Sequence, residues 1–311
     1  MILFDRARIL QILSETDWQV LPSALFFVAC SNTLVSLSYV ILARSVGIRM
    51  GRFRLGATFF VTNVLNRLVS SGGVAGLSLR YLMMKPHGVG LHDVLNSSFI
   101  HFLLGSLIML GILPLVIVYV LVTLPLSTTL ELDLIFVAVA SGLLYIGVAG
   151  LLFSEQRRQK VARLAAWLGK KLARRDLTVQ VDRYARQADW AVAALRNDWK
   201  AFSSVMLLFA AELAANVVVL GYCLKAFGPG LSFAGTTVIY VVAMIAGFFS
   251  ALPGGIGVQE AIITSLAVLQ GSSFGQAALA AILYRILQTF LPYLISLGFY
   301  PYLLNTLPAS D

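Results

Sequence analysis

Between Lys225 and Asp311 the chain carries two charges, Glu260 and Arg285, and the carboxylate follows directly on the helix-breaking run Leu252-Pro253-Gly254-Gly255-Ile256-Gly257-Val258-Gln259. An ionised side chain in apolar sequence costs about 2.5–3.5 kcal/mol on membrane-insertion scales, so each is a candidate for function. A second Gly-rich stretch, Ser70 to Gly76, is flanked by Arg67 and Arg80, and Glu212 stands in another apolar run. The candidate site is therefore Arg67, Gly72, Gly73, Arg80, Glu212, Gly254, Gly255, Gly257, Glu260 and Arg285. Arginines there attract phosphate. Glycines bring free backbone N–H groups close to a ligand, and the carboxylates contact a cationic group or take up a proton.

Each residue also has a plainer reading. A carboxylate in a first helical turn is favoured by about 0.3–1 kcal/mol, and a Glu260–Arg285 ion pair is the cheapest way to keep both charges at depth. Glycines also let helices pack closely, and Arg80 also suits a cytoplasmic interface. His87, His92 and His101 lack metal-site spacing, so no metal and no cofactor is expected. No phosphate loop, nucleophile elbow or zincin motif occurs, so the chain is not expected to be an enzyme.

The elements that must position these residues are membrane helices. With 59% hydrophobic and 12% charged residues and a mean hydropathy of +0.87, the chain has more apolar surface than a soluble core can bury. Cys30 and Cys223 lie in apolar runs and act as small hydrophobes. Residues 1–17 have the pattern of an interfacial amphipathic helix rather than a signal peptide. A first span is expected from Trp18 to Ala43, a long one between Asp93 and Glu131, an acidic connection from Pro125 to Asp133, and a returning span over 134–154. Further spans are expected from Ala201 to Phe227 and from Phe274 to about Leu304, with Leu231 to Leu252 and Ile256 to Gln270 flanking the Pro-Gly-Gly break.

Residues 155–200 hold twelve Lys or Arg against five Asp or Glu, which places them in the cytoplasm by the positive-inside bias. Val161, Leu164, Leu168 and Leu172, then Val181, Tyr184, Ala188, Val192, Leu195 and Trp199, recur at helical spacing. Two amphipathic helices follow, which hold anionic headgroups or a cytosolic partner. No binding fold accompanies this charge, so nucleic acid is not an expected partner.

Laying Gly72-Gly73 over Gly254-Gly255 brings the flanks into correspondence: long span, short apolar piece, break, short piece, turn, long span. The expected fold is all-α, a polytopic membrane protein of one integral domain over 1–311. Its first repeat covers about 18–121 and its second about 201–305, each with a broken re-entrant hairpin, and span counting gives the halves inverted orientation.

The run Pro253 to Glu260 followed by Tyr284-Arg285 and Pro292, with Ser71 to Gly76 and Arg80 before it, resembles the lysylphosphatidylglycerol synthase transmembrane region family, a flippase-like membrane domain. The resemblance covers nearly the whole chain. Ser70 and Ser71 stand where that family often has Pro, and Leu77 where an acidic residue is sometimes found. The sequence ends at Asp311 without the cytosolic aminoacyl-transfer domain of full-length synthases and is not expected to make lysyl lipid. The resemblance implies a lipid flippase or transporter of the bacterial inner membrane, with membrane lipids bearing anionic or phosphate headgroups as partners. Two other readings stand beside it: a membrane-embedded enzyme or non-catalytic domain of lipid or glycan metabolism, and a scaffold, homo-oligomeric or not, that recruits a cytosolic protein to 155–200.

Overall fold

A computed structural model describes residues 11–69, 74–123, 128–157, 198–250 and 252–305, with isolated residues between 159 and 193. Gly72 and Gly73, the first ten residues and most of the basic segment lie outside the described residues. So do its two expected amphipathic helices.

The described residues are helical and contain no strand: α1 (Leu21–Ser45), α2 (Arg52–Leu68), α3 (Val74–Met84), α4 (Leu91–Thr123), α5 (Thr128–Phe153), α6 (Trp199–Phe227), α7 (Phe233–Phe249), α8 (Val258–Leu269), α9 (Phe274–Arg285) and α10 (Leu291–Asn305). Five membrane-length apolar stretches are among them: Trp18–Ser45, Leu91–Thr123, Glu131–Gly150, Trp199–Phe227 and Phe274–Leu303. The chain is an all-α multi-pass membrane protein.

Two expected boundaries move. The returning span begins at Thr128 instead of 134, so Glu131 and its neighbours sit in the first turns of α5 rather than in a loop. Acidic residues mark a helix start as readily as a connection, because they complement the dipole. The piece expected over 231–252 is helical only from Phe233 to Phe249, a length of 17 residues. Ser232 caps its start, its hydroxyl accepting from the Gly235 N–H at 3.1 Å. At about 1.5 Å per residue, this helix is near 25 Å long, against a hydrocarbon core of about 30 Å.

The chain forms two compact units. One comprises Met1–Ser36, Ala57–Leu79 and Ala210–Thr306; the other comprises Leu37–Gly56, Arg80–Phe209 and Leu307–Asp311. In the first, α7 packs on α8 and α8 on α9, with Ile239, Ala243, Ile263 and Ala267 buried. The start of α1 meets the end of α6: the Asp17 N–H donates to the Ala226 carbonyl at 2.9 Å, and the rings of Phe27 and Tyr222 lie 6.1 Å apart. Helices α2 and α10 meet through Phe60 and Phe299 at 5.8 Å.

In the same unit α2 and α3 approach very closely. The Gly76 N–H donates to Asn66 Oδ1 at 2.8 Å, and a Cβ at Gly76 would collide with that oxygen and with the Thr62 carbonyl. Gly76→Ala is expected to lower stability by about 1–3 kcal/mol through overpacking. Gly142→Ala, on an open face of α5, should be neutral or slightly stabilising. Thermal unfolding of the two variants in lipid nanodiscs checks the contrast.

In the second unit α4 packs on α5. Gly111 allows this contact, since a Cβ there would lie 3.3 Å from the Tyr145 ring. The rest of α5 presents Phe136, Val139, Leu143 and Ile146 outward, a surface suited to acyl chains and not to water.

Candidate functional site

The second break is built by three glycines at positive φ, Gly254 at 57°, Gly255 at 65° and Gly257 at 85°. Helix α7 ends at Phe249, and Ser250 turns the chain: its hydroxyl donates to the Gly247 carbonyl at 2.8 Å and accepts from the Leu252 N–H at 3.3 Å. Pro253 to Gly255 form one tight turn, and α8 starts at Val258. Glu260 lies one turn in, and its Oε2 accepts from the Gly257 N–H at 2.7 Å. This is the carboxylate half of a capping box, on a glycine that has no side chain to return the bond.

Arg285, the last residue of α9, closes the break. Its Nε donates to Glu260 Oε1, one terminal nitrogen to the Gly254 carbonyl at 2.8 Å, and the other to the Gly255 carbonyl at 3.4 Å. A guanidinium alone among side chains offers donors in a rigid fork that can serve three acceptors on neighbouring residues. Both oxygens of Glu260 are thereby engaged, and the ion pair is mostly shielded, with side-chain exposures of 12% for Arg285 and 22% for Glu260.

The end of α2 meets this break. The Arg67 carbonyl lies so close to Gly254 that a Cβ there would collide with it. The Arg67 guanidinium donates to the main-chain carbonyl of Gln288 at 3.2 Å. That carbonyl is exposed to a partner for a specific reason: Pro292, four residues on, has no N–H to give it. The helix widens here into a π turn, Ile286 to Phe290, with the Leu291 N–H reaching back to the Ile286 carbonyl. The span expected as one helix from Phe274 to Leu304 is thus two helices joined by a π turn, a form frequent at functional sites.

From Gln288 a chain of amides leads to Glu212. Gln288 Nε2 donates to Asn216 Oδ1 at 2.8 Å, and Asn216 Nδ2 donates to Glu212 Oε1 at 2.5 Å and to the Tyr240 hydroxyl at 3.2 Å. The Arg67 charge acts on Glu212, Tyr240 and Tyr284. Gln288 Oε1 is buried and accepts no hydrogen bond from any described residue.

Of the ten candidate residues, Arg67, Glu212, Gly254, Gly255, Gly257, Glu260 and Arg285 thus fall in one unit, in two linked groups. Arg80 belongs to the other unit. It is buried, its guanidinium carbon 4.6 Å from the centre of the Tyr39 ring, and it donates to Ser98 Oγ at 2.8 Å. Tyr39 in turn shares a hydrogen bond with Ser97 at 3.0 Å. Asn216, Tyr240 and Gln288 were not among the candidates. Glu212 and Asn216 are four residues apart and so share a helix face, which was the available sequence signal; Gln288 had a similar one, three residues after Arg285.

These features define a multi-pass helical membrane protein with a glycine-broken hairpin and a polar network inside apolar helices. The chain matches the family model described as "Lysylphosphatidylglycerol synthase TM region" over residues 1–296 and belongs to that family. It is therefore an integral membrane protein related to lipid metabolism. A search of the curated proteins finds no match.

Proposed function

We propose that the protein moves a phospholipid or a related lipid-linked molecule between leaflets of the bacterial inner membrane, without being an enzyme itself. The observation that carries this reading is the Arg67–Gln288–Asn216–Glu212 network, which keeps charge and hydrogen-bonding capacity within apolar helices next to a broken hairpin. Arg67 attracts the headgroup phosphate. Glu260 and Arg285 hold the break in shape, and the glycines bring backbone close to it. The two hairpins are of matching size, α2 and α3 with 17 and 11 residues and α7 and α8 with 17 and 12, which supports two related halves; that they are re-entrant and inverted is part of the proposal and rests on span counting.

The test is a leaflet-asymmetry assay in proteoliposomes over a panel of anionic, zwitterionic and polyprenyl lipids. The protein should accelerate exchange of at least one class. Arg67→Gln should slow it by about tenfold, on the order of 1.4 kcal/mol of headgroup binding. No acceleration of any lipid by the folded protein would overturn the proposal.

A further inference from the structure

The directions of the hydrogen bonds between Glu212 and Gln288 are linked. An ionised carboxylate has only acceptors, so Asn216 must turn its Nδ2 toward Glu212 Oε1, at 2.5 Å. Its Oδ1 then faces Gln288, which must answer with Nε2, at 2.8 Å. That fixes the other end of the Gln288 amide as an acceptor, the buried Oε1 that no described residue serves. Gln288 is 5% exposed, and with Glu212 ionised its orientation is set from two side chains away.

We propose that proton uptake by Glu212 reverses this chain and changes what the site binds. A proton on Oε1 makes Glu212 a donor, so the Asn216 amide turns to present Oδ1 to it. The Tyr240 hydroxyl, 3.2 Å from Asn216, rotates from accepting to donating. Asn216 Nδ2 then faces Gln288, whose amide turns in its place, and the atom at the far end becomes the donor Nε2. Amide oxygen and nitrogen are nearly the same size, so both turns occur without repacking. The proton count balances: one proton is taken up at Glu212, and every other hydrogen stays on its own residue.

The charged and titratable groups that act electrostatically on Glu212 are Arg67 on α2, Tyr240 on α7 and Tyr284 on α9, with Cys223 on α6 acting on Tyr284 in turn. With Glu212 ionised, Arg67 is opposed and Gln288 presents an acceptor, a combination that takes a hydrogen-bond donor such as an ammonium or hydroxyl. With Glu212 protonated, Arg67 is unopposed and Gln288 presents an N–H, a combination that takes an anion such as a phosphate oxygen. The assignment of what is bound rests on the headgroup reading above; the switch itself does not.

The experiment is pH-difference infrared spectroscopy of the full chain in phosphatidylcholine nanodiscs, with ¹³C-labelled asparagine and glutamine. The expected result is a titrating carboxyl band that disappears in Glu212→Gln, together with label-sensitive amide bands that shift at the same midpoint. Part of the amide shift should be lost in Gln288→Leu. Amide bands that stay fixed in the wild-type protein while the carboxyl titrates overturn the proposal without any variant, as does the absence of a carboxyl band assignable to Glu212. Linked bands in a protein that moves no lipid support the switch and overturn the headgroup reading, so the two failures are distinct.

Discussion

Arg285→Ala is expected to destabilise the protein by about 3–5 kcal/mol, the range for stranding one partner of a shielded ion pair. Three acceptors lose their donor at once: Glu260 Oε1 and the carbonyls of Gly254 and Gly255. Arg285→Lys should fall between, since an ammonium is a point charge and cannot reach all three with the geometry of a fork. Glu260→Gln should be milder than Arg285→Ala, because Gln keeps an oxygen for the Gly257 N–H, which Glu260 now holds at 2.7 Å. The double variant Glu260→Gln with Arg285→Gln removes the unpaired charge but leaves the two glycine carbonyls poorly served, so it should recover only part of the loss. Thermal unfolding in nanodiscs gives the order, and leaflet exchange on the same samples separates roles. A stable double variant with normal exchange marks the pair as a brace for the break; a stable double variant without exchange marks it as part of the transport path.

How much of this was legible in the sequence depends on the range of the interaction. Gly254, Gly255 and Gly257 announce a break because only glycine adopts positive φ cheaply, and that is a local property. The Glu260–Arg285 pair could be expected because two lone charges in one apolar stretch have few alternatives. The Arg67–Gln288 bond joins residues 221 positions apart, and nothing in the local pattern of either announces the other. Pro292 is visible as a kink, but that its missing N–H releases the carbonyl taken by Arg67 appears only when α2 and the π turn are seen together. For Arg80 the sequence leaves a site and a cytoplasmic interface both open, and its burial against the Tyr39 ring appears only in the structure.

Gly254→Ala and Gly257→Ala should separate the shape of the break from its contact with Arg67. Both residues have φ in the range that L side chains rarely adopt, 57° and 85°, so each substitution should cost about 1–3 kcal/mol in backbone strain. At Gly257 nothing lies within 4 Å of the added Cβ, and the cost should end there. At Gly254 the Cβ meets the Arg67 carbonyl, a backbone atom that cannot swing aside, so overpacking adds about 1–3 kcal/mol. The displaced end of α2 should also carry the Arg67 guanidinium away from the Gln288 carbonyl, now 3.2 Å away. A double-mutant cycle with Arg67→Gln reads this directly. Residues in contact couple by about 0.5–3 kcal/mol, and independent ones add within about 0.3–0.5 kcal/mol. Gly254→Ala should therefore be non-additive with Arg67→Gln, in both stability and leaflet exchange, and Gly257→Ala additive. Equal coupling at the two glycines would mean that Arg67 senses only the strain of the break, and the close approach of α2 to Gly254 would then play no part in positioning it.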